Sequence, residues 1–325
     1  MSNLYIKNAM GLWSKIKKAV KKVAEAIEVF VNHIGDNIGN AIDTVGCAIH
    51  DRLNWLGDKI GGKSIFSWFG GIIKGVFSVV SVLIIGVFGI IGGIVGGLIK
   101  VIGGIFIGQG PTIVEGIWDI FSPIFGTIIV VVGKIIALVQ TSFYAQAFER
   151  PLTEDEKSQL KRVFKDVLNY YIIRIIEGHA GLFGLSSRAF TLGNTIYLKS
   201  HTFSIDLLVH ETTHAWQYQQ IGNRYTSDAV AAQWVVKDGY NWKKEINDRK
   251  KTDWKEFNKE AQAQFIQDIW KSGKLRDIEG NVLERRNGVF YDADNATKIG
   301  YFKVLGTNYS GIADAAVKTI RKEWF

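Results

Sequence analysis

Cysteine, proline and methionine are scarce in this chain of 325 residues, which holds one Cys, three Pro and two Met. The single cysteine, Cys47, excludes an intramolecular disulfide. No RNA- or DNA-binding motif is present, and the aromatic residues are not interleaved with basic ones as in a stacking platform. The net charge of +8 is moderate. We therefore expect no nucleic-acid partner.

Charge is absent from one long segment in the first half of the chain. Residues 75–99 contain no charged side chain over 25 positions. A helix of that length can cross a hydrocarbon core of about 30 Å. Within the segment, Gly89, Gly93 and Gly97 recur at every fourth position, with a second row at Gly92 and Gly96. This spacing lets helices approach closely in lipid.

A second apolar stretch covers roughly residues 117–140, with Asp119 near its start and Pro123 and Lys134 inside it. The two stretches predict a membrane hairpin, in which Lys134 faces an interior or extends to the membrane surface. Two alternatives stay open. The hairpin is buried in the protein, an oligomer or a carrier, or it forms the core of a soluble helical bundle.

The N-terminal residues 11–35 predict a basic amphipathic helix, and residues 36–64 predict a second pair of helices. The apolar stripe consists of Leu12, Trp13, Ile16, Val20, Val23, Ile27, Phe30 and Ile34, and the basic cluster of Lys15, Lys17, Lys18, Lys21 and Lys22. This pattern is typical of helices that lie in a membrane interface, and a surface helix of a bundle is the alternative. No signal peptide is recognisable, so we expect export through a dedicated machine.

The motif that carries chemistry is His-Glu-x-x-His at residues 210–214. On a helix, positions i and i+4 share a face, so His210 and His214 can bind one metal ion while Glu211 reaches a nearby water. Neither Pro nor Gly interrupts this segment before Gly222. The motif predicts a zinc site, and a solvated helix with two unrelated histidines is the alternative.

Zinc in hydrolases usually takes three protein ligands and keeps a fourth position for water. Glu260 follows His214 by 46 residues, in a segment whose apolar residues recur at helical spacing. We expect Glu260 to be the third ligand, presented by a second helix. Its rivals are Asp253, Glu256, His179 and His201.

Residues upstream of the motif predict strands and a capped helix. Apolar residues within 186–199 flank a Gly193-Asn194 turn signal, which predicts a strand or hairpin. Thr153 and Glu156 have the spacing of a capping box, so a helix should follow Thr153.

The motif followed by a Glu-Ala-x-Ala segment resembles the gluzincin class of zinc peptidases. Three short patterns follow one another within roughly residues 149–270: R-x-L-T-x-x-E, A-F-T-L-G-N-x-I and L-x-H-E-x-x-H-x-W-Q. Their order resembles that of a metallopeptidase-like domain of bacterial contractile injection systems. That domain is carried by effectors and cargo. The resemblance implies delivery as a toxin or cargo, with tube or spike proteins of such a system as partners.

The resemblance also implies site details. An edge strand above the motif helix would bind extended substrate by main-chain pairing. The position four residues after the third ligand, here Gln264, would orient a histidine. A later tyrosine would stabilise the developing oxyanion, and Tyr309 ranks above Tyr301 for that role.

Together these features predict a glycine-rich, hydrophobic α-helical N-terminal domain and an α+β zincin-like C-terminal domain. The expected divisions are amphipathic helices in 1–64, a hydrophobic hairpin in 65–148 and a metallopeptidase domain in 149–325. Zn²⁺ would be bound by His210, His214 and Glu260, and catalysis would use Glu211 and Tyr309.

The predicted function is that of a secreted or injected toxin that hydrolyses a peptide or protein substrate and inserts into a target lipid membrane. One alternative is a pore-forming toxin whose zincin-like domain serves as a loading or packing module. The other is a metallopeptidase resident in the membrane of the producing cell.

Overall fold

The computed structural model describes residues 2–185 and 188–322, apart from the side chains of residues 2–13 and Lys17. Three long helices are followed by a region of shorter helices and strands. The predicted division into an α-helical N-terminal region and an α+β C-terminal part is confirmed at this level. The side chains of Leu12, Trp13 and Lys17, which belong to the predicted amphipathic helix, lie outside the described residues.

The N-terminal region is an antiparallel layer of three helices: α1 (Ser2–Ile60), α2 (Lys63–Phe106) and α3 (Gly110–Ser142). The predicted helix pair in 36–64 is wrong, because α1 runs unbroken to Ile60. Its internal glycines serve close packing and do not end the helix. A Cβ at Gly35 would lie 2.3 Å from Phe88 of α2, and one at Gly39 would lie 2.4 Å from Ile85.

The two predicted glycine rows of α2 face different neighbours. A Cβ at Gly96 would lie 3.1 Å from the Glu28 side chain of α1, whereas one at Gly93 would lie 2.3 Å from the Asp119 carbonyl of α3. The glycines therefore let α2 pack between two helices at once. Pro123 lies inside α3, where it meets the Gly93 position.

Helices α2 and α3 are long and apolar enough to cross a membrane, with mean hydropathies of 2.6 and 2.2 in their most apolar windows. Many of their large side chains are partly exposed, including Val87, Phe125 and Val132. The core helix of a soluble protein passes the same test of length and composition, so this finding alone does not establish membrane contact.

Buried lysines of the α2–α3 hairpin bond to residues in the rest of the protein. Lys134 was expected to face an interior or to extend to a membrane surface. In the structure it is buried inside the protein and donates to Thr195 Oγ1 at 2.9 Å. Lys74 pairs with Glu149 at 2.8 Å. Burial alone would raise the pKa of Glu149, but Lys74 and nearby cations lower it to about 2.

The C-terminal region begins with a four-stranded sheet in the order β1-β2-β4-β3. Its strands are β1 (Arg150–Pro151), β2 (Arg174–Glu177), β3 (Phe190–Leu192) and β4 (Thr195–Leu198). Strands β2 and β4 are parallel, and β3 and β4 form the expected hairpin around Gly193, whose φ is 62°. Helix α4 (Glu154–Phe164) starts at the predicted capping box of Thr153 and Glu156.

Four helices follow: α5 (Ile205–Ile221), α6 (Arg224–Trp234), α7 (Trp242–Asn247) and α8 (Lys259–Ser272). The chain ends with β5 (Lys274–Arg276), β6 (Val282–Glu284), β7 (Ile299–Tyr301), β8 (Lys303–Val304), β9 (Thr307–Asn308) and α9 (Ser310–Ile320). Strands β5 to β7 form a second sheet in the order β6-β5-β7. The main core lies between α4, α5, α8 and α9 and includes Trp216, Trp254 and Phe265.

Asp36 is a buried carboxyl group on α1, next to the Gly222 end of α5. Burial raises its pKa well above the usual value. Because the folded state favours the protonated form, the site costs stability increasingly as pH rises through the folded pKa. We expect Asp36→Asn to raise the free energy of unfolding by about 1–3 kcal/mol at pH 8 and to change little at pH 4.

Urea unfolding at the two pH values measures this difference. Asp58→Asn is the matched control, because Asp58 is 54% exposed and should respond little at either pH. An equal gain for Asp36→Asn at both pH values would contradict the argument.

Candidate metal centre

Helices α5 and α8 bring together the three residues that the sequence predicts as ligands. One donor atom from each of His210, His214 and Glu260 can be chosen so that all lie within 4.8 Å of one another. Glu260 Oε2 lies 3.6 Å from His210 Nε2 and 3.3 Å from His214 Nε2. All three side chains are buried. The grouping was predictable from the sequence, and metal binding itself stays a prediction.

Local signals fix the two helices that carry these residues. Ser204 caps α5 by accepting from the Leu207 amide, and α5 ends at Ile221, directly before Gly222, whose φ is 57°. Asn258 caps α8 by accepting from the Ala261 amide at 3.0 Å. Glu260 therefore stands in the first turn of α8, where it faces the middle of α5.

The carboxylate of Glu260 supplies a test of whether the site fits a cation. Its Oε1 accepts from Gln233 Nε2 at 2.7 Å, whereas its buried Oε2 has no hydrogen-bond partner and faces two imidazole nitrogens. A buried carboxylate oxygen that accepts no hydrogen bond needs a positive charge beside it, which a protonated imidazole or a bound cation can supply. Two imidazoles and one carboxylate are also a donor set used by catalytic zinc sites. The residues fit a divalent cation.

The electrostatics agree with that fit. Burial alone would raise the pKa of Glu260, but His214 and His210 hold it well below its usual range. Burial alone would lower the pKa of His214, but the Glu260 carboxylate raises it to about 9. The cluster thus favours a positive charge at its centre.

The orientation of His214 is set by Gln217. His214 Nδ1 lies 2.8 Å from Gln217 Oε1, and Gln217 Nε2 donates to Gln262 Oε1 at 2.8 Å. This network places one proton on His214 Nδ1, so Nε2, which faces Glu260, is the atom that would bind a metal in exchange for its own proton.

Gln264, expected from the resemblance to orient a histidine, does not do so. Its amide donates instead to Asp268 Oδ1, one turn further along α8, at 2.8 Å. The glutamine that orients a histidine is Gln217, which lies three residues after His214 on α5. Sequence spacing alone could not choose between the two glutamines.

Glu211, the predicted general base, is buried at the cleft that the centre faces. Thr191 Oγ1 donates to Glu211 Oε2 at 2.8 Å and also lies 3.0 Å from the Glu211 carbonyl oxygen. Thr191 was missed by the sequence reasoning. The only available signal was its place within the predicted strand before the motif.

Tyr309 and Tyr301 do not line this cleft. Tyr309 packs edge-on against Trp242, with ring centroids 4.8 Å apart, and belongs to the main core. Tyr301 lies under Arg276, whose guanidinium carbon is 3.4 Å from the ring centroid. Aromatic packing places the Tyr309 ring in the core and away from the cleft, so the structure does not support its assignment to oxyanion stabilisation.

Tyr225 and Tyr240 line the cleft instead. The Tyr240 ring stacks on His210 with centroids 6.2 Å apart, and the Tyr225 ring lies 5.5 Å from that of His214. Burial and the Glu260 carboxylate raise the pKa of Tyr240 to about 12. Its hydroxyl therefore keeps its proton at neutral pH and can donate a hydrogen bond.

The rival ligands lie elsewhere in the described structure, outside the residues that line the cleft. His201 is 79% exposed and lies 3.4 Å from Glu177. Asp253 caps a short 3₁₀ turn by accepting from the Lys255 amide, and Glu256, within that turn, is exposed. His179 accepts from the Ala147 amide through its carbonyl oxygen.

The cleft has a volume of about 610 Å³ and lies between α3, β3 and α6, with the metal centre on one side. Two imidazoles, a carboxylate and a second glutamate beside such a cleft can support metal-assisted hydrolysis. Comparison of the chain with protein-family models, curated proteins and solved structures finds no match.

Proposed function

We propose that the C-terminal region is a zincin-like metallopeptidase domain. The observation that carries the proposal is the convergence of His210, His214 and Glu260 beside Glu211 at a cleft. Zinc, when bound, would polarise a peptide carbonyl and make a water more acidic. The buried Glu260 oxygen that has no hydrogen-bond partner supports the presence of a cation.

The protein groups have distinct tasks in this proposal. Glu211 accepts the proton of the attacking water and returns it to the leaving amine. The Thr191 hydroxyl holds Glu211 in position through its 2.8 Å hydrogen bond. The Tyr240 hydroxyl, which interacts with Glu260 and Arg188, would donate instead to the carbonyl oxygen as negative charge develops there.

We further propose that the whole chain is a secreted or injected bacterial toxin that joins peptide hydrolysis to insertion in a target membrane. The resemblance to cargo of contractile injection systems supports delivery by such a machine, with tube or spike proteins as partners. The two long apolar helices support a lipid partner.

A second candidate function is supported by the partly exposed apolar faces of α2 and α3. In that case the helical region forms the pore, and the metal domain serves for loading or packing. The full-length Glu211→Gln variant separates the two ideas, because a pore former stays toxic without the base whereas a protease toxin does not. Stable residence in the producer's membrane without lysis would support the remaining alternative, a metallopeptidase resident in the membrane of the producing cell.

Metal content tests the proposal most directly. Plasma mass spectrometry is expected to find one zinc per chain in the wild type, after zinc loading and dialysis, and almost none in His214→Ala. His201→Ala is the control, because this exposed histidine lies outside the cluster and should leave zinc bound. Well-folded wild-type protein that retains no zinc would contradict the proposal.

A further inference from the structure

The edge of β3 that faces the cleft is open for pairing. Strand β3 is the last strand of its sheet and pairs only with β4 among the strands of the described residues. Ala189, Phe190, Thr191 and Leu192 also line the cleft. An extended chain in the cleft could add to this edge by main-chain hydrogen bonds, close to Glu211.

The opposite wall of the cleft is apolar and belongs to α3. It is formed by Ile128, Ile129, Val132 and Ile136, one face of the helix over two turns. Several of these side chains are partly exposed, so they are available for contact. Ala229 and Val230 of α6 extend the same apolar surface.

Charge inside the cleft is confined to the metal centre and its base. Among the described residues that line the cleft, the carboxylates are Glu211 and Glu260, and no lysine or arginine is present. A charged substrate side chain laid on the α3 wall would lose water without gaining a partner. The α3 wall therefore discriminates against charged side chains.

We infer that the substrate is an extended peptide segment with uncharged, apolar side chains, held between β3 and α3. This inference rests on the peptidase function proposed above. Main-chain pairing with β3 is what the zincin resemblance already implies. The selection of apolar side chains by Val132 and its neighbours on α3 goes beyond that resemblance. A lipid acyl chain matches the apolar wall only, because it would leave the amides and carbonyls of β3 unpaired.

Two synthetic peptides of equal length test the inference. One has Val, Leu and Phe around the scissile bond, and its twin has Ser, Asp and Lys at the same places. The zinc-loaded full chain is expected to cleave the apolar peptide with a kcat/KM at least ~30-fold higher. The zinc-loaded Glu211→Gln variant should bind the apolar peptide with a similar preference, as measured by fluorescence anisotropy.

A charge placed on the α3 wall should alter this preference. Val132→Asp is expected to lower kcat/KM for the apolar peptide by ~10-fold or more and to favour a lysine-bearing one. Ile135→Asp is the matched control, because Ile135 is 45% exposed, close to the 50% of Val132, but lies outside the cleft. It should change the preference by less than ~2-fold.

The outcomes separate this inference from the proposed function. Selective binding of the apolar peptide without any cleavage supports the inference and contradicts hydrolysis. Cleavage or binding of both peptides to similar extents overturns the inference while leaving the peptidase function intact. Binding of a fluorescent fatty acid, weakened by Val132→Asp, with no binding of either peptide would also overturn it.

Discussion

Replacing Glu211 by Gln should lower peptide hydrolysis by about 10²–10⁴-fold while zinc stays bound. Glutamine matches glutamate in size and can still accept the hydrogen bond from Thr191 Oγ1. It cannot take a proton from water. Because the ligands His210, His214 and Glu260 are untouched, metal content should stay at one zinc per chain.

Single-turnover cleavage of the apolar peptide, with zinc measured on the same sample, checks this expectation. Glu256→Gln makes the same chemical change at an exposed position outside the cleft and should retain wild-type activity. Full activity in Glu211→Gln would contradict the assignment of Glu211 as the base. A joint loss of zinc and activity would point to a structural role.

Replacing Asp119 by Asn should lower the free energy of unfolding by about 3–5 kcal/mol. Asp119 on α3 is fully buried and accepts from Lys100 Nζ at 2.5 Å and from Arg224 at 2.6 Å. Arg224 also pairs with Glu28 of α1. Asparagine keeps the shape but removes the charge, which leaves Glu115 as the remaining carboxylate beside the buried Lys100 and takes one carboxylate partner from Arg224.

Chemical unfolding followed by circular dichroism measures the effect. Asp58→Asn removes the same kind of charge from an ion pair with Lys63, but both side chains of that pair are more than half exposed. Its effect should stay below about 1 kcal/mol. If the two substitutions lowered the free energy of unfolding equally, burial would not strengthen the ion pairs of Asp119.

The features that were predictable from sequence depend on short-range rules. The capping box of Thr153 and Glu156 and the turn at Gly193 each act within a few residues. The i,i+4 spacing of His210 and His214 likewise needs only a helix. Glu260 is the exception, since it lies far along the chain and was inferred from its helical segment and the resemblance.

The misplaced features depend on packing between distant segments. Tyr309 was a reasonable candidate by residue type, but Trp242 and the main core fix its ring elsewhere. Tyr225 and Tyr240 reach the cleft because α6 and the segment after it fold against α5. No local sequence pattern predicts this placement. Helix α1 continues through its glycines because they allow close packing of α2, which the sequence of α1 alone does not show.

The charges around Asp119 are shared between the α2–α3 hairpin and the helices beside it. The hairpin carries Lys100 with two carboxylate partners, Glu115 and Asp119, whereas Arg224 lies on α6 and pairs with Glu28 of α1 and Asp228 of α6. Separation of the hairpin from those helices would break the contact between Arg224 and Asp119, but it would leave each of the two cations with a carboxylate on its own side. A lone ion is far costlier to move into hydrocarbon than a matched pair. The hairpin thus carries the counter-ions of its own buried lysine.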